Sequence, residues 1–210
     1  MLNILSGKLR CMMENNVFEQ MAKRYDTDER KQLATIIAKH VRGKLKNSKT
    51  KSLIDYGSGT GLVSLALSDL VDSLLLVDSA EQMLEVAKAK ISRSGSTNVD
   101  VLYSDFTKAT PKLKSDIVLM SLVLLYIPET EKILREIYSI LNKNGMLIIV
   151  DFDKNDKIDH PKVHNGFEQE ELKRQLSEVG FTSTEITTFY HGQRIFMGKD
   201  ASMFISCSIK

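Results

Sequence analysis

Three alternate glycines, Gly57, Gly59 and Gly61, follow an acid two residues upstream in the run Leu53-Ile54-Asp55-Tyr56-Gly57-Ser58-Gly59-Thr60-Gly61. Alternate glycines let the main chain turn sharply and let a ligand lie against backbone with no Cβ in the way. Asp55 sets the sign of that ligand, because a carboxylate at a strand edge suits an ammonium group and repels a pyrophosphate. Asp78 follows Gly57 at the distance where a carboxylate accepts both hydroxyls of a ribose. Asp105 with Phe106 beside it offers an acceptor for an amino group and a ring face, a pairing that suits an adenine. The glycine spacing also argues against a nicotinamide oxidoreductase. A dinucleotide loop places its third glycine at position 62, which here is leucine.

These residues need elements to hold them. Ser52–Tyr56 reads as a strand entering the glycine loop, and Leu62–Leu70 as the helix leaving it. Ser73–Asp78 is a second strand. Ser79 then offers an N-cap, with Gln82 three residues on, in a capping-box arrangement. The helix that follows carries Met83, Leu84, Ala87 and Ile91 on one face. Val99–Ser104 and Ser115–Ser121 read as strands three and four. A helix through Ile133, Leu134, Ile137, Tyr138 and Leu141 stops at Asn144-Gly145, and Met146–Phe152 is strand five. After a polar loop, Asp153–Asn165, a helix runs through Leu172, Leu176 and Val179 to Gly180. Thr182–Tyr190 and Ala201–Ile209 read as an antiparallel pair joined by His191–Asp200. Upstream, Val17, Phe18, Met21, Ala22 and Tyr25 recur at helical spacing, as do Leu33, Ile36, Ile37, Val41 and Leu45. Asp26-Thr27-Asp28 is placed to cap the second of these helices. Near-continuous apolar strands separated by helices predict a mostly parallel sheet covered on both faces, with ligands at its C-terminal edge.

Taken together, these motifs resemble those of the class I S-adenosylmethionine-dependent methyltransferases of the small UbiE-like or methyltransferase-11-like type. The most specific part is Asp55-x-Gly57-x-Gly59-x-Gly61 followed by Asp78. Ser115–Met146 is similar to the family's block from fourth to fifth strand. Phe18-x-x-Met21-Ala22-x-x-Tyr25-Asp26 is similar to its first helix. His164-Asn165-Gly166-Phe167, Glu171-Leu172 and Gly180-Phe181 are similar to its late helix.

The resemblance implies an α/β fold: a single Rossmann-like methyltransferase domain with a seven-stranded, mostly parallel sheet and an antiparallel C-terminal strand, preceded by N-terminal helices. It divides the chain into a disordered extension at 1–13, a helical lid at 14–50 and a cofactor-binding domain at 51–210. The cofactor it implies is S-adenosyl-L-methionine. By position, Gly57, Ser58, Gly59 and Gly61 would surround the methionyl part, and Asp55 would hold its ammonium. Asp78, with Ser79 beside it, would bind the ribose, Met83 would pack on the adenine, and Asp105 and Phe106 would take the adenine amino group and ring edge. Ser121 and Leu122 would border the sulfonium, and Tyr25 would close over the cofactor. Many relatives carry Glu or His at the positions of Leu125 and Tyr126, so no base is visible there. The catalytic candidates are His164, Tyr126 and Tyr25, with His160 and His191 as further loop histidines.

Composition narrows the partners. The chain has 210 residues, 42% of them hydrophobic, enough for one domain without a disulfide or metal staple. Its two cysteines, Cys11 and Cys207, make no metal knuckle and fit a reducing, cytoplasmic compartment. Three isolated prolines leave neither a Pro-Pro nor a Pro-Cys clamp, which excludes the familiar DNA methylases. No apolar run approaches the length of a membrane span or a signal peptide. The net charge of +2 splits into +6 over residues 1–50 and −4 over the rest. The cationic stretch Lys39–Lys51 reads as a solvated helix end plus linker. A small-molecule acceptor is the leading expectation, for a monomer or homodimer with no DNA or membrane partner. RNA, or a non-catalytic cofactor-binding role on the same fold, stays open, and either Met1 or Met12/Met13 could be the start.

Overall fold

The computed structural model describes residues 16–210. The extension, the alternative starts and Cys11 lie outside the described residues. The chain opens with α1 (Asn16–Met21), which tightens into a 3₁₀ turn at Ala22–Arg24, and α2 (Asp28–Lys44). Thr27 caps α2 as its position predicts, accepting from Arg30 N at 3.4 Å. The strands are β1 (Ser52–Tyr56), β2 (Ser73–Asp78), β3 (Val99–Tyr103), β4 (Ser115–Ser121), β5 (Leu141–Phe152), β6 (Thr182–Phe196) and β7 (Lys199–Ile209). Between them lie α3 (Glu81–Ser94), α4 (Thr130–Ile140) and α5 (Gln169–Val179).

The strands form one sheet in the order β3-β2-β1-β4-β5-β7-β6. Every pairing is parallel except those of β7, which runs antiparallel to both β5 and β6. This is the Rossmann-like sheet expected, with its antiparallel C-terminal strand. The chain builds outward from β1 to β3 and then returns to place β4 on the other side of β1. The C-terminal ends of β1 and β4 therefore flank a switch point, where open α/β sheets bind ligands. Alternation along each strand feeds two cores. Leu53, Leu74 and Leu119 join Ile37 and Val41 of α2 and Leu45 just past its end, while Ile54, Val118 and Ile149 join Ile133 and Ile137 of α4 and Leu172 and Leu176 of α5. Each such side chain contributes roughly 1.5–3 kcal/mol by leaving water.

Four local expectations change. Leu62–Leu70 is not an α-helix but a 3₁₀ segment over Ser64–Leu70. The Ser68 hydroxyl donates to the carbonyl of Leu65, three residues back, at 3.0 Å, a local bond that competes with α-helical pairing. Ser79 does not cap α3. The amides of Glu81 and Gln82 instead donate to the Glu19 carboxylate of α1, at 2.6 and 2.9 Å. Helix α4 ends at Ile140 rather than at Asn144-Gly145, because Leu141 is already extended and pairs with Ser115. Asn144 takes a left-handed φ of 61° inside the strand. The segment 191–200 is mostly ladder, not loop. Strands β6 and β7 continue to a two-residue turn, Met197-Gly198, with φ values of 49° and 75°, the handedness that matches strand twist. Phe196 anchors it by stacking on Phe152, with ring centroids 4.2 Å apart.

Candidate functional site

The glycine loop and the turn after β4 meet at the switch point. A Cβ on Gly57 would lie 2.2 Å from Cγ2 of Val123, so only glycine lets these two segments close on each other. The amides of Gly57 and Ser58 donate to the Val77 carbonyl, fastening the loop to the end of β2. Gly59 faces the Tyr25 ring, whose Cε1 would stand 3.9 Å from a Cβ there.

Four buried polar atoms at this edge lack a hydrogen-bond partner: Ser64 Oγ, which lies beside Asp55, and Asp55 Oδ1, Ser58 Oγ and Ser121 Oγ, which border the glycine loop and the end of β4. Asp55 is 2% exposed. Burial pushes its carboxyl up to about 7, with the Asp78 charge acting in the same direction and the Ser64 hydroxyl opposing. Unpaired groups of this kind cost about 1–3 kcal/mol each. The two oxygens of Asp78 accept from Gly59 N at 2.7 Å and Ala80 N at 2.8 Å, so the carboxylate is fixed in place at the mouth of the loop. Burial raises its pKa against those amides and that of Ser79, whose side chain is exposed. An acid wanting a cation, two hydroxyls wanting partners and a fixed carboxylate fit the ammonium, carboxylate and ribose of S-adenosylmethionine.

The adenine side departs further from expectation. Met83 is 1% exposed and packs with Ala80 beneath Phe18, Ala22 and Tyr25 from the N-terminal segment. Asp105 turns into its own loop, accepting from Thr107 N and Oγ1 at 3.0 and 2.6 Å and pairing with Lys108 at 2.9 Å. Burial would raise its carboxyl, but those bonds outweigh it and hold the pKa down. The Phe106 ring is buried against Tyr56, with centroids 4.5 Å apart. The ring itself is a packing group of the core.

On the other side of the loop, Ser121 ends β4, and Leu122 takes φ +52° while its amide donates to Val150 O. That conformation is strained for a leucine and stands at the point expected to border the sulfonium. A 3₁₀ turn, Leu124–Tyr126, follows. Asp151, fully buried at the end of β5, accepts from Leu125 N at 3.2 Å and Phe152 N at 2.9 Å. Burial pushes it up to about 7 against those amides and that of Leu124. Tyr126 is 45% exposed and meets Phe18 edge-on, with centroids 5.3 Å apart. Its pKa is pushed up to about 12, by burial first and then by Tyr25 and Asp151, with Arg30 opposing. Tyr25 is raised likewise, by burial first, with Arg30 opposing from 4.3 Å above its ring.

The structure brings Tyr25, Asp55, the glycine loop, Asp78, Met83, Ser121, Leu122 and Tyr126 to one region. The histidines are placed differently. His164 lies near it, but its backbone amide donates to Leu125 O and its Nε2 to Ile127 O, both at 2.8 Å. It ties the loop before α5 to the turn after β4. His160 accepts the Lys162 amide on an exposed loop, and His191 stands on β6 rather than in a loop, bonded to Ser202 at 2.6 Å.

Sequence reasoning missed Glu19, Lys90 and Asp151, and saw Asp26 as a helix-capping neighbour and a member of the first-helix motif, without its partners. Asp26 accepts the Thr60 hydroxyl at 2.5 Å and pairs with Lys90 at 2.6 Å, and Lys90 also donates to Thr60 O at 2.8 Å. These bonds bolt the start of α2 to the glycine loop and α3. Their spacing in sequence, 26 to 60 to 90, carries no local signal.

Residues 47–194, well over half of the chain, match a family model described as a methyltransferase domain. The chain is 31% identical over 147 residues to a demethylmenaquinone methyltransferase of Leptospira interrogans, covering 65% of this chain and 59% of that protein. It is 27% identical over 134 residues to sterol 4-C-methyltransferase strm-1 of Caenorhabditis elegans, covering 60% of this chain and 40% of that protein. The chain thus spans from two-fifths to three-fifths of the length of these relatives. Its fold is similar to that of a SAM-dependent methyltransferase from Aquifex aeolicus, with a TM-score of 0.71 at 22% identity over 91% of this chain and 97% of that one. The matched segment contains the glycine loop, both strand-end acids and the β4–β5 block, and the chain belongs to the methyltransferase-domain family of S-adenosylmethionine-dependent enzymes.

Proposed function

We propose that this chain methylates a small-molecule acceptor bound between Leu122, Tyr126 and Tyr25. The observation that carries this reading is the set of unpaired buried atoms on Asp55, Ser58 and Ser121, at the meeting of the glycine loop and the end of β4. When bound, S-adenosylmethionine supplies an electrophilic methyl group on a sulfur that leaves as a neutral thioether. Asp55 would take its ammonium, Ser58 and Ser121 would donate to its carboxylate end, and Asp78 would accept from the ribose. Tyr25, Phe18 and α1 would act as a lid that excludes water. Leu122 and Val123 would fix the acceptor side of the crevice. Positioning of this kind supplies up to roughly 7–11 kcal/mol in favourable cases. His164 Nε2 is committed to Ile127 O, so it is not offered as a base.

The names of the curated relatives, which act on a demethylmenaquinone and a sterol, support a small acceptor over RNA. A cytoplasmic setting belongs to the same proposal, supported by the two widely separated cysteines. Among the described residues no helix is long and apolar enough to cross a membrane. The test is a labelled-methyl transfer screen against a cell extract separated into small molecules, RNA and protein. Label in the small-molecule fraction is expected. Label in RNA would overturn the acceptor class, and cofactor binding without label in any fraction would favour a non-catalytic role.

A further inference from the structure

Arg30 is the cation of the N-terminal segment that stacks on a ring of the site, Tyr25. It lies in the first turn of α2, where the helix dipole disfavours positive charge and where its neighbours Asp28 and Glu29 are acids. Its guanidinium has no carboxylate within ion-pair distance among the described residues. Two other cations of α2 are paired, Lys31 with Asp28 at 3.3 Å and Arg42 with Asp69 at 2.8 Å. Arg30 instead stacks over the Tyr25 ring and donates one bond, to Tyr25 O at 2.9 Å. A guanidinium offers five N–H donors in a fixed fork. Stacking on Tyr25 holds that fork rigid and leaves most of the donors unspent.

Its surroundings supply a ring-shaped site. Tyr25 also faces Gly59, so Arg30 is one ring away from the glycine loop. Tyr126 lies close enough to feel the Arg30 charge, and Phe18 meets Tyr126 edge-on. The acids of the site divide by side. Asp55 and Asp78 stand at the cofactor loop, and on the acceptor side Asp151 is buried beneath the 3₁₀ turn with its oxygens on main-chain amides. Asp26, beside Tyr25, is taken up by Lys90 at 2.6 Å. The acceptor mouth thus presents three aromatic rings and the Arg30 guanidinium. An acceptor that arrives ionised also needs no base, in keeping with His164 being tied to Ile127 O.

Resting on the reading of the chain as a small-molecule methyltransferase, we propose that Arg30 determines acceptor specificity. The acceptor is a planar organic anion, a ring bearing a carboxylate or phenolate. Its charge is held by the Arg30 fork and its ring packs among Phe18, Tyr25 and Tyr126.

The test is calorimetric titration at pH 8 with benzoate, 4-nitrophenolate and neutral benzamide, each with and without saturating S-adenosylhomocysteine. The unaltered protein is compared with Arg30→Gln, Arg30→Lys and the remote control Arg42→Gln. At least one anion is expected to bind about tenfold or more tighter than benzamide, the scale of one charge-assisted bond. Arg30→Gln should erase that preference while changing S-adenosylhomocysteine affinity by less than about fivefold, the worth of the lost stack on Tyr25. Arg30→Lys should keep part of the preference and Arg42→Gln all of it. Whichever anion wins identifies carboxylate or phenolate. Equal binding of anions and benzamide, no binding of either anion, or a preference that survives Arg30→Gln would overturn the proposal. Anion binding through Arg30 without any S-adenosylhomocysteine binding would bring down the methyltransferase reading and leave the anion site standing.

Discussion

Asp55 shows how much one residue can carry. Its type and its place two residues before Gly57 are legible in the sequence; its burial and unpaired oxygen are not, because they depend on the segments folded over it. With its carboxyl up to about 7, a good share of Asp55 is protonated near neutrality. An ammonium seated on it would draw the proton off. Cofactor binding should therefore release protons near pH 6.5–7, and affinity should strengthen as pH rises through that range. Calorimetry in phosphate and in Tris reads this as buffer-dependent heat, and Asp55→Asn should remove that part of the dependence. Identical heats in both buffers, for both proteins, would take Asp55 out of the ammonium site. Phe106 gives the opposite lesson. The backbone sends its ring into the core against Tyr56, a direction that residue type does not specify.

Among the elements, strands β1, β2 and β4 were legible to the residue, because buried parallel strands are short apolar runs with polar ends. The start of α3 was legible only in part. Ser79 and Gln82 satisfy the local capping pattern, yet Glu19 from α1 takes the free amides, and nothing in the local sequence announces a cap supplied from sixty residues away. That contact joins two elements: it completes α3 and holds α1 over the glycine loop. Glu19→Ala should lower stability by about 1 kcal/mol, the usual worth of a cap. It should also speed amide exchange in residues 16–24 more than in α2, measured by hydrogen–deuterium exchange. Uniform exchange rates across both helices would show that the Asp26–Thr60–Lys90 cluster alone keeps α1 in place.

At the scale of the whole fold, two carboxyls sit in the core without a cation among the described residues. Asp55 and Asp151 are both pushed up to about 7 by burial, well above the usual carboxylate range. Between about pH 4 and 7 the folded chain therefore holds more protons than the unfolded chain, and stability falls as pH rises through that window. The penalty is absent below it and complete above it, on the order of 2–4 kcal/mol for each group. Urea unfolding should give a higher midpoint at pH 5 than at pH 8, and Asp151→Asn should flatten the difference. A midpoint that rises with pH would show that both acids find compensation. A mostly parallel sheet was legible from alternating strands and helices, and its seven strands followed from the family resemblance. The antiparallel β6–β7 pair was legible as well, but its continuation through 191–200 was not, because the register shift after Gly192 breaks the alternation that marks a strand.

The placement of β7 bears on how the protein is made. Strand β7 is the last of the seven to leave the ribosome, yet it lies inside the sheet, with β5 on one side and β6 on the other. Until it emerges, β5 has an open flank and β6 has no partner. The β3-β2-β1-β4-β5 half can assemble while translation continues, but the final two strands must dock together. During that interval a nascent chain exposes Ile148, Val150 and Phe152 along an unpaired edge, the surface on which a holding chaperone or a second nascent chain would act.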